Sequence, residues 1–197
     1  VVRNSEKIVK IADRPDLITD RLRLGVTELV ACTWLHALLR AIKSAYPALN
    51  VELTVDLSRN LDVELAANRL DLAIQTAPFK SVTTGEIKLG EFPYIWVAQS
   101  ETAQRLQGLQ TVADLLPHAI LTHARHTQAY VELSEHISQN SLSTTRIASS
   151  SSLASCVQMA MDGMGVTLLP AALVKTQLSN RELVQLAVDW LPTPLHF

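Results

Sequence analysis

The sequence predicts an α/β protein built as two lobes. Three observations carry that expectation. Arg21 to Ala77 reads strand, helix, strand, helix, strand; the pattern restarts after Gln75-Thr76-Ala77-Pro78; and polar residues gather where each of the first three strands ends. In an open α/β sheet such strand ends form the crevice in which ligands bind. The length of 197 residues, 48% of them hydrophobic, is enough to bury a real core or two smaller ones. A formal net charge of −2 argues against nucleic-acid binding by these residues, which takes a basic face. No apolar run is long enough to span a bilayer, and Val1 to Asp20 lacks the apolar core of a signal peptide. Cys32 and Cys156, far apart in sequence, are expected to be buried reduced thiols in a cytoplasmic protein.

The elements follow in order. Val2, Ile8, Val9, Ile11 and Ala12 lie among charged residues as on a narrow helical face, which Arg14-Pro15-Asp16 ends. A helix so short is marginal alone, so it packs on a partner, belongs to a longer helix, or simply caps the domain. Leu22 to Val26 alternates apolar and polar before a turn at Thr27-Glu28. Ala31, Trp34, Leu35, Leu38, Leu39 and Ile42 then share one helical face, ended by Tyr46-Pro47. Val51 to Leu57 alternates again, and Ser58-Arg59-Asn60 opens a second helix with Asn60 as expected N-cap. Leu70 to Ile74 is nearly all apolar, like a parallel strand covered on both faces.

In the later half, strands are expected at Ile87 to Leu89, Tyr94 to Ala98, Ala119 to Thr122, Arg146 to Ala148, Val166 to Leu169 and Leu183 to Leu186. Helices are expected at Gln128 to Gln139 and at Leu153 to Asp162, the latter ended by Gly163. The expected division is a helix tail over 1–15, a first lobe of 22–75 with 169–197, and a second lobe of 76–168. Two crossings make a hinge, near Gln75 to Phe79 and near Leu168 to Ala171.

Four segments taken in order carry a family resemblance: LRLGVTE with the helix ending in AYPALNVEL; LDVELAANRLDLAI; SSLASCVQMAMDGMGVTLLPAALV; and NRELVQLAVDW. Together they resemble the effector-binding domain of LysR-type transcriptional regulators, itself similar to type 2 periplasmic binding proteins, from about Leu22 to Trp190. The resemblance implies two Rossmann-like lobes with a small effector, such as a carboxylate or other polar metabolite, bound between them. It implies that 1–13 is the tail of a linker helix from an N-terminal winged helix-turn-helix through which DNA would be bound. It also implies a homodimer or homotetramer paired side by side through exposed helix and strand surfaces, without membrane contact.

Placed on that architecture, the strand ends nominate residues one by one. Thr27 and Glu28 follow the first strand, where a hydroxyl and backbone N–H groups suit a carboxylate and Glu28 would instead select an amine or hydroxyl. Ser58, Arg59 and Asn60 follow the second, where Arg59 could fork onto an anion. Gln75 and Thr76 end the third. The second lobe offers His123, Arg125, Ser150 and Thr167. Each has a plainer reading as a cap, a surface charge or hinge packing. The pair His123-x-x-His126 lacks a third ligand at fixed spacing, so no metal and no cofactor are expected. Without a Gly-x-Ser-x-Gly elbow or a phosphate-cradling glycine loop, no enzyme is expected. The rival readings are a transporter's solute-binding protein of the same fold and a small hydrolase or transferase on a similar scaffold.

Overall fold

A computed structural model of the chain describes residues 20–77, 85–140 and 146–197. The helix expected over 1–15 and the hinge residues Pro78 and Phe79 lie outside the described residues. The chain divides into two compact units, residues up to Lys88 together with Phe197, and Leu89–His196.

The first unit holds a three-stranded parallel sheet in the order β2-β1-β3, from β1 (Arg21–Val26), β2 (Asn50–Val55) and β3 (Leu72–Ile74). Leu24 of β1 stands between Leu53 and Leu72, and Val26 between Val55 and Ile74. Leu24 and Val26 are fully buried. On the other face Gly25 brings the backbone close beneath Leu61 and Leu70; a Cβ there would lie 2.5 Å from Leu70 Cδ1.

The helix expected after β1 is divided in two, α1 (Glu28–Cys32) and α2 (Leu35–Ala45). The break falls at Thr33, whose hydroxyl donates back to the Leu29 carbonyl, a bond that competes with the helical ladder. Of the expected apolar face Leu35 is buried, while Leu38, Leu39 and Ile42 stay half-exposed. Cys32, expected buried, is exposed because α1 turns that side outward. The helix after β2, α3 (Ser58–Ala66), starts earlier than expected. Leu57 is its N-cap, and Asn60 sits inside the first turn with its amide on Asp56 Oδ1.

Arg23 joins β1 to the approach of β3. Its guanidinium forks onto Asp71 and also donates to the Asn68 carbonyl at 2.6 Å, where Asn68 takes a positive φ of 55°. The fork and a backbone N–H of Arg23 hold the Asp71 carboxyl at about 2, below its ordinary range.

The second unit is a five-stranded mixed sheet, order β7-β6-β8-β5-β9. Its strands are β5 (Tyr94–Gln99), β6 (Ile120–His123), β7 (Ile147–Ser150), β8 (Val166–Pro170) and β9 (Leu183–Leu186). The short β4 (Glu91–Phe92) pairs with β10 (Leu195–His196). This corrects the expected division. Segment 169–197 was to return to the first lobe, yet β8 and β9 flank β5 on both sides, antiparallel to it, and only Phe197 groups with the first unit. Apolar periodicity marks a strand but not its neighbour or its direction. The strand expected over Ile87 to Leu89 does not form either; Ile87 is 83% exposed and has no sheet to join.

Between strands run α4 (Ser100–Arg105), α5 (Val112–Leu115), α6 (Gln128–Gln139), α7 (Leu153–Met161) and α8 (Lys175–Ser179). Tyr94, Trp96 and Ala98 of β5 meet Leu106, Leu115, Leu133 and Ile137 in one core, and the Trp96 indole donates to the Trp190 carbonyl at 2.9 Å. The motif Gly163-Met164-Gly165 has two jobs. Gly163 closes α7 at φ 70°, and Gly165 lets the chain cross the Ala119 carbonyl, which a Cβ would meet at 2.3 Å.

Candidate functional site

Parallel pairing puts the carboxyl ends of β2, β1 and β3 side by side. Extending the register by one residue places Asp56, Thr27 and Gln75 in a row on one face, continuing Thr54, Gly25 and Ala73. Backbone bonds fix that row: Thr27 N–H donates to the Ile74 carbonyl, and Asp56 N–H to that of Val26, both at 3.1 Å.

Within the row, hydrogen bonding is uneven. Asp56 Oδ1 accepts from Leu57 N–H at 2.7 Å and from the Asn60 amide at 2.8 Å. Ser58 Oγ lies 2.8 Å from Thr76 Oγ1 and accepts from Thr76 N–H at 3.0 Å, tying the start of α3 to the end of β3. Thr27 Oγ1 and Gln75 Oε1 are buried and have no hydrogen-bond partner among the described residues. A buried polar atom left without a partner costs stability, so such atoms in a native fold ask for an explanation. Gln75 as a whole is 6% exposed.

Of the residues nominated by the sequence, the structure therefore brings together Thr27, Ser58, Asn60, Gln75 and Thr76. Ser58, Asn60 and Thr76 are engaged in holding the rim. Glu28 opens α1, and its charge, after the partial burial of the sulfur, helps to raise the Cys32 thiol's pKa. Arg59 points to solvent. Asp56 was missed. The signal was present, since an Asp at a strand end followed by a helix start is a common turn residue, bonding the backbone just ahead.

The second unit arranges its four nominees differently. His123 and Ser150 face each other across the paired ends of β6 and β7. His123 Nε2 lies 3.3 Å from the Ser151 carbonyl, and Ser150 Oγ accepts from Ser152 N–H at 3.1 Å. Ser152 in turn caps α7, accepting from Ser155 N–H. Arg125 lies apart from them, on a shallow groove along α6 with Tyr130 and Ser134. Thr167 belongs to the core. It lies inside β8, fully buried between Val97 and Leu121, where no strand end exposes it. Thr122 on β6 is also buried, and both Oγ1 atoms lack a partner among the described residues. Among the described residues no three His, Cys, Asp or Glu side chains are gathered as a metal would need. Nor is any described helix long and apolar enough to cross a membrane.

Comparison with known proteins bears on the fold and the family. The family model described as the LysR substrate binding domain matches residues 15–197. No curated protein sequence matches the chain. Among solved structures, the chain is similar to the CcmR regulatory domain of Synechocystis PCC6803 in complex with 2-PG, with TM-score 0.73, 19% identity, and coverage of 90% of this chain and 85% of that one. The effector domain of AmpR from Pseudomonas aeruginosa gives TM-score 0.68 at 25% identity, over 90% of this chain and 83% of that one. The BenM effector binding domain with its effector benzoate gives TM-score 0.65 at 15% identity, over 90% and 82%. The fold is thus the one shared with type 2 periplasmic binding proteins, and the family is a regulatory, effector-binding one. With its match spanning nearly the whole length, the chain belongs to the LysR substrate binding domain family, the effector-sensing domain of LysR-type transcription regulators.

Proposed function

We propose that the effector of this domain binds at the strand-end row of the first unit, against Thr27 and Gln75. The observation that carries this reading is the pair of buried oxygens, Thr27 Oγ1 and Gln75 Oε1, left without partners among the described residues at the carboxyl ends of β1 and β3. Ligands of open α/β sheets bind at such ends, and a ligand supplies what the rim lacks. Glu28 and Arg59 border the same row and set its charge. In the second unit, His123 and Ser150 offer an imidazole and a hydroxyl at their own strand ends. The domain acts by binding rather than by catalysis. Effector binding shifts a conformational equilibrium only by its differential affinity for the two states, and the shift is read by DNA-binding domains joined through an N-terminal linker helix in a cytoplasmic regulator.

The regulator works as a homo-oligomer. Leu53 and Val55 on the edge strand β2 are 42% and 48% exposed, and α2 leaves most of its apolar face half-covered. A second copy paired on these surfaces would bury both. Sedimentation of the chain is expected to show a dimer that Leu53→Glu dissociates.

A thermal-shift screen against small carboxylates, amino acids, amines and polyols tests the effector reading. A stabilising compound is expected whose effect Thr27→Val abolishes. Stabilisation that survives both Thr27→Val and Gln75→Met would move the effector away from this row.

A further inference from the structure

The row Asp56, Thr27, Gln75 has a chemical bias that goes beyond its position. Gln75 Oε1 can only accept a hydrogen bond, and it is buried with nothing to accept from among the described residues. Asp56 brings a carboxylate, of which Oδ1 is taken by Leu57 N–H and the Asn60 amide. Thr27 can accept as well as donate, while its backbone N–H is spent on the Ile74 carbonyl. Ser58 and Thr76, the other hydroxyls nearby, are turned to each other. The Thr27 hydroxyl and one hydroxyl of the Ser58–Thr76 pair can still donate, so what weights the row towards a donor is the unpaired Gln75 acceptor and the Asp56 carboxylate beside it. Glu28 at the start of α1 adds a second acidic side chain, and Arg59, the adjacent cation, is exposed and bonded to none of these groups.

Resting on the effector reading above, we infer that the part of the effector held at this row is a hydrogen-bond donor end, an ammonium or a hydroxyl group, and that Gln75 is the residue that selects it. A carboxylate placed there would face Asp56 at close range and leave Gln75 Oε1 still unpaired. An ammonium or hydroxyl group satisfies Gln75 Oε1 and Thr27 Oγ1 together and meets Asp56 with the favourable sign. Sites that bond a particular donor reject analogues lacking it far more sharply than apolar pockets reject a missing methylene.

The test is a titration of the 197-residue chain followed by ¹H–¹⁵N correlation spectra at constant ionic strength. Ethylamine, ethylene glycol and propionate serve as probes of matched size. Ethylamine or ethylene glycol is expected to shift the Gln75 side-chain amide and the Thr27 backbone signal saturably, about tenfold more tightly than propionate, as one lost charge-assisted bond implies. The two donor probes separate an ammonium end from a hydroxyl end. Gln75→Met should abolish the saturable shift at the Thr27 backbone signal and raise the melting temperature of the unliganded chain, because an orphaned buried oxygen is removed. Propionate binding the same signals as tightly would overturn the donor assignment while leaving the effector site in place. No saturable shift at Thr27 and Gln75 from any probe would overturn both. A lower melting temperature for Gln75→Met would show that the amide holds the fold, and would sink the selective role.

Discussion

The two units use one vocabulary of strands and helices to different ends. In the second, five strands enclose a continuous core around Trp96, and its strand-end residues at β6 and β7 are occupied locally, Ser150 by Ser152 N–H and His123 beside the Ser151 carbonyl. Both units keep buried oxygens without partners among the described residues, but in different places: in the second they belong to Thr122, Thr167 and Gln177, within β6, β8 and α8, while in the first, with its three strands, they belong to Thr27 and Gln75 at the strand ends. The difference teaches where to look for function in a fold made of similar parts. Oxygens orphaned inside a strand or helix belong to a packed core, whereas those orphaned at strand ends are the ones that nominate a candidate rim.

Four substitutions probe this contrast. The largest effect is expected from Gly165→Ala in the second unit. Its new Cβ would meet the Ala119 backbone carbonyl, which cannot move aside, so urea unfolding should show a loss of about 3 kcal/mol. Gly25→Ala in the first unit meets the ends of Leu70 and Leu61 side chains, which can shift, and a loss of about 1.5 kcal/mol is expected by the same measurement. An equal or larger loss at Gly25 would mean that the first unit is packed as rigidly as the second.

Ser58→Ala removes the hydroxyl that joins α3 to Thr76, and should cost about 1 kcal/mol without selecting among ligands. If it instead abolished ligand stabilisation as completely as Gln75→Met, the division between holding and reading residues would collapse. The smallest effect concerns acid. The Asp71 carboxyl is held at about 2 by Arg23, below its ordinary 3.8, so its contribution is present above the ordinary value and fades as pH falls towards the lower one. Melting temperatures recorded across that interval should fall less steeply for Asp71→Asn than for the parent chain. Parallel curves would remove the Arg23–Asp71 pair from the account of the first unit's stability.

Much of this was legible in the residues. Alternation over Leu22 to Val26, the spacing within Gln128 to Gln139, and the Gly163 stop each gave an element whose structure agrees to within a residue or two, because those signals are local. The Gly163 stop has a local cause in the helix it ends, whereas Gly165 answers to the Ala119 carbonyl, which only the fold brings beside it. Thr27 and Gln75 were nominated from their places after the first and third strands on the architecture that the family resemblance implies, since parallel strands bring their carboxyl ends together.

What only the tertiary structure decided was pairing and satisfaction. Nothing in Val166 to Pro170 or Leu183 to Leu186 states that both strands flank β5, because an apolar strand fits many neighbours and the choice is made by the core they share. Likewise Ser58, Asn60, Gln75 and Thr76 look alike in a sequence as polar residues beside strand ends. Packing turns the first two and Thr76 onto partners and leaves the Gln75 oxygen with none among the described residues, and that distinction rests on side chains from separate strands meeting in space. The residues alone marked most of the elements and nominated the strand ends as a candidate face; the fold decided which atoms there have no hydrogen-bond partner among the described residues.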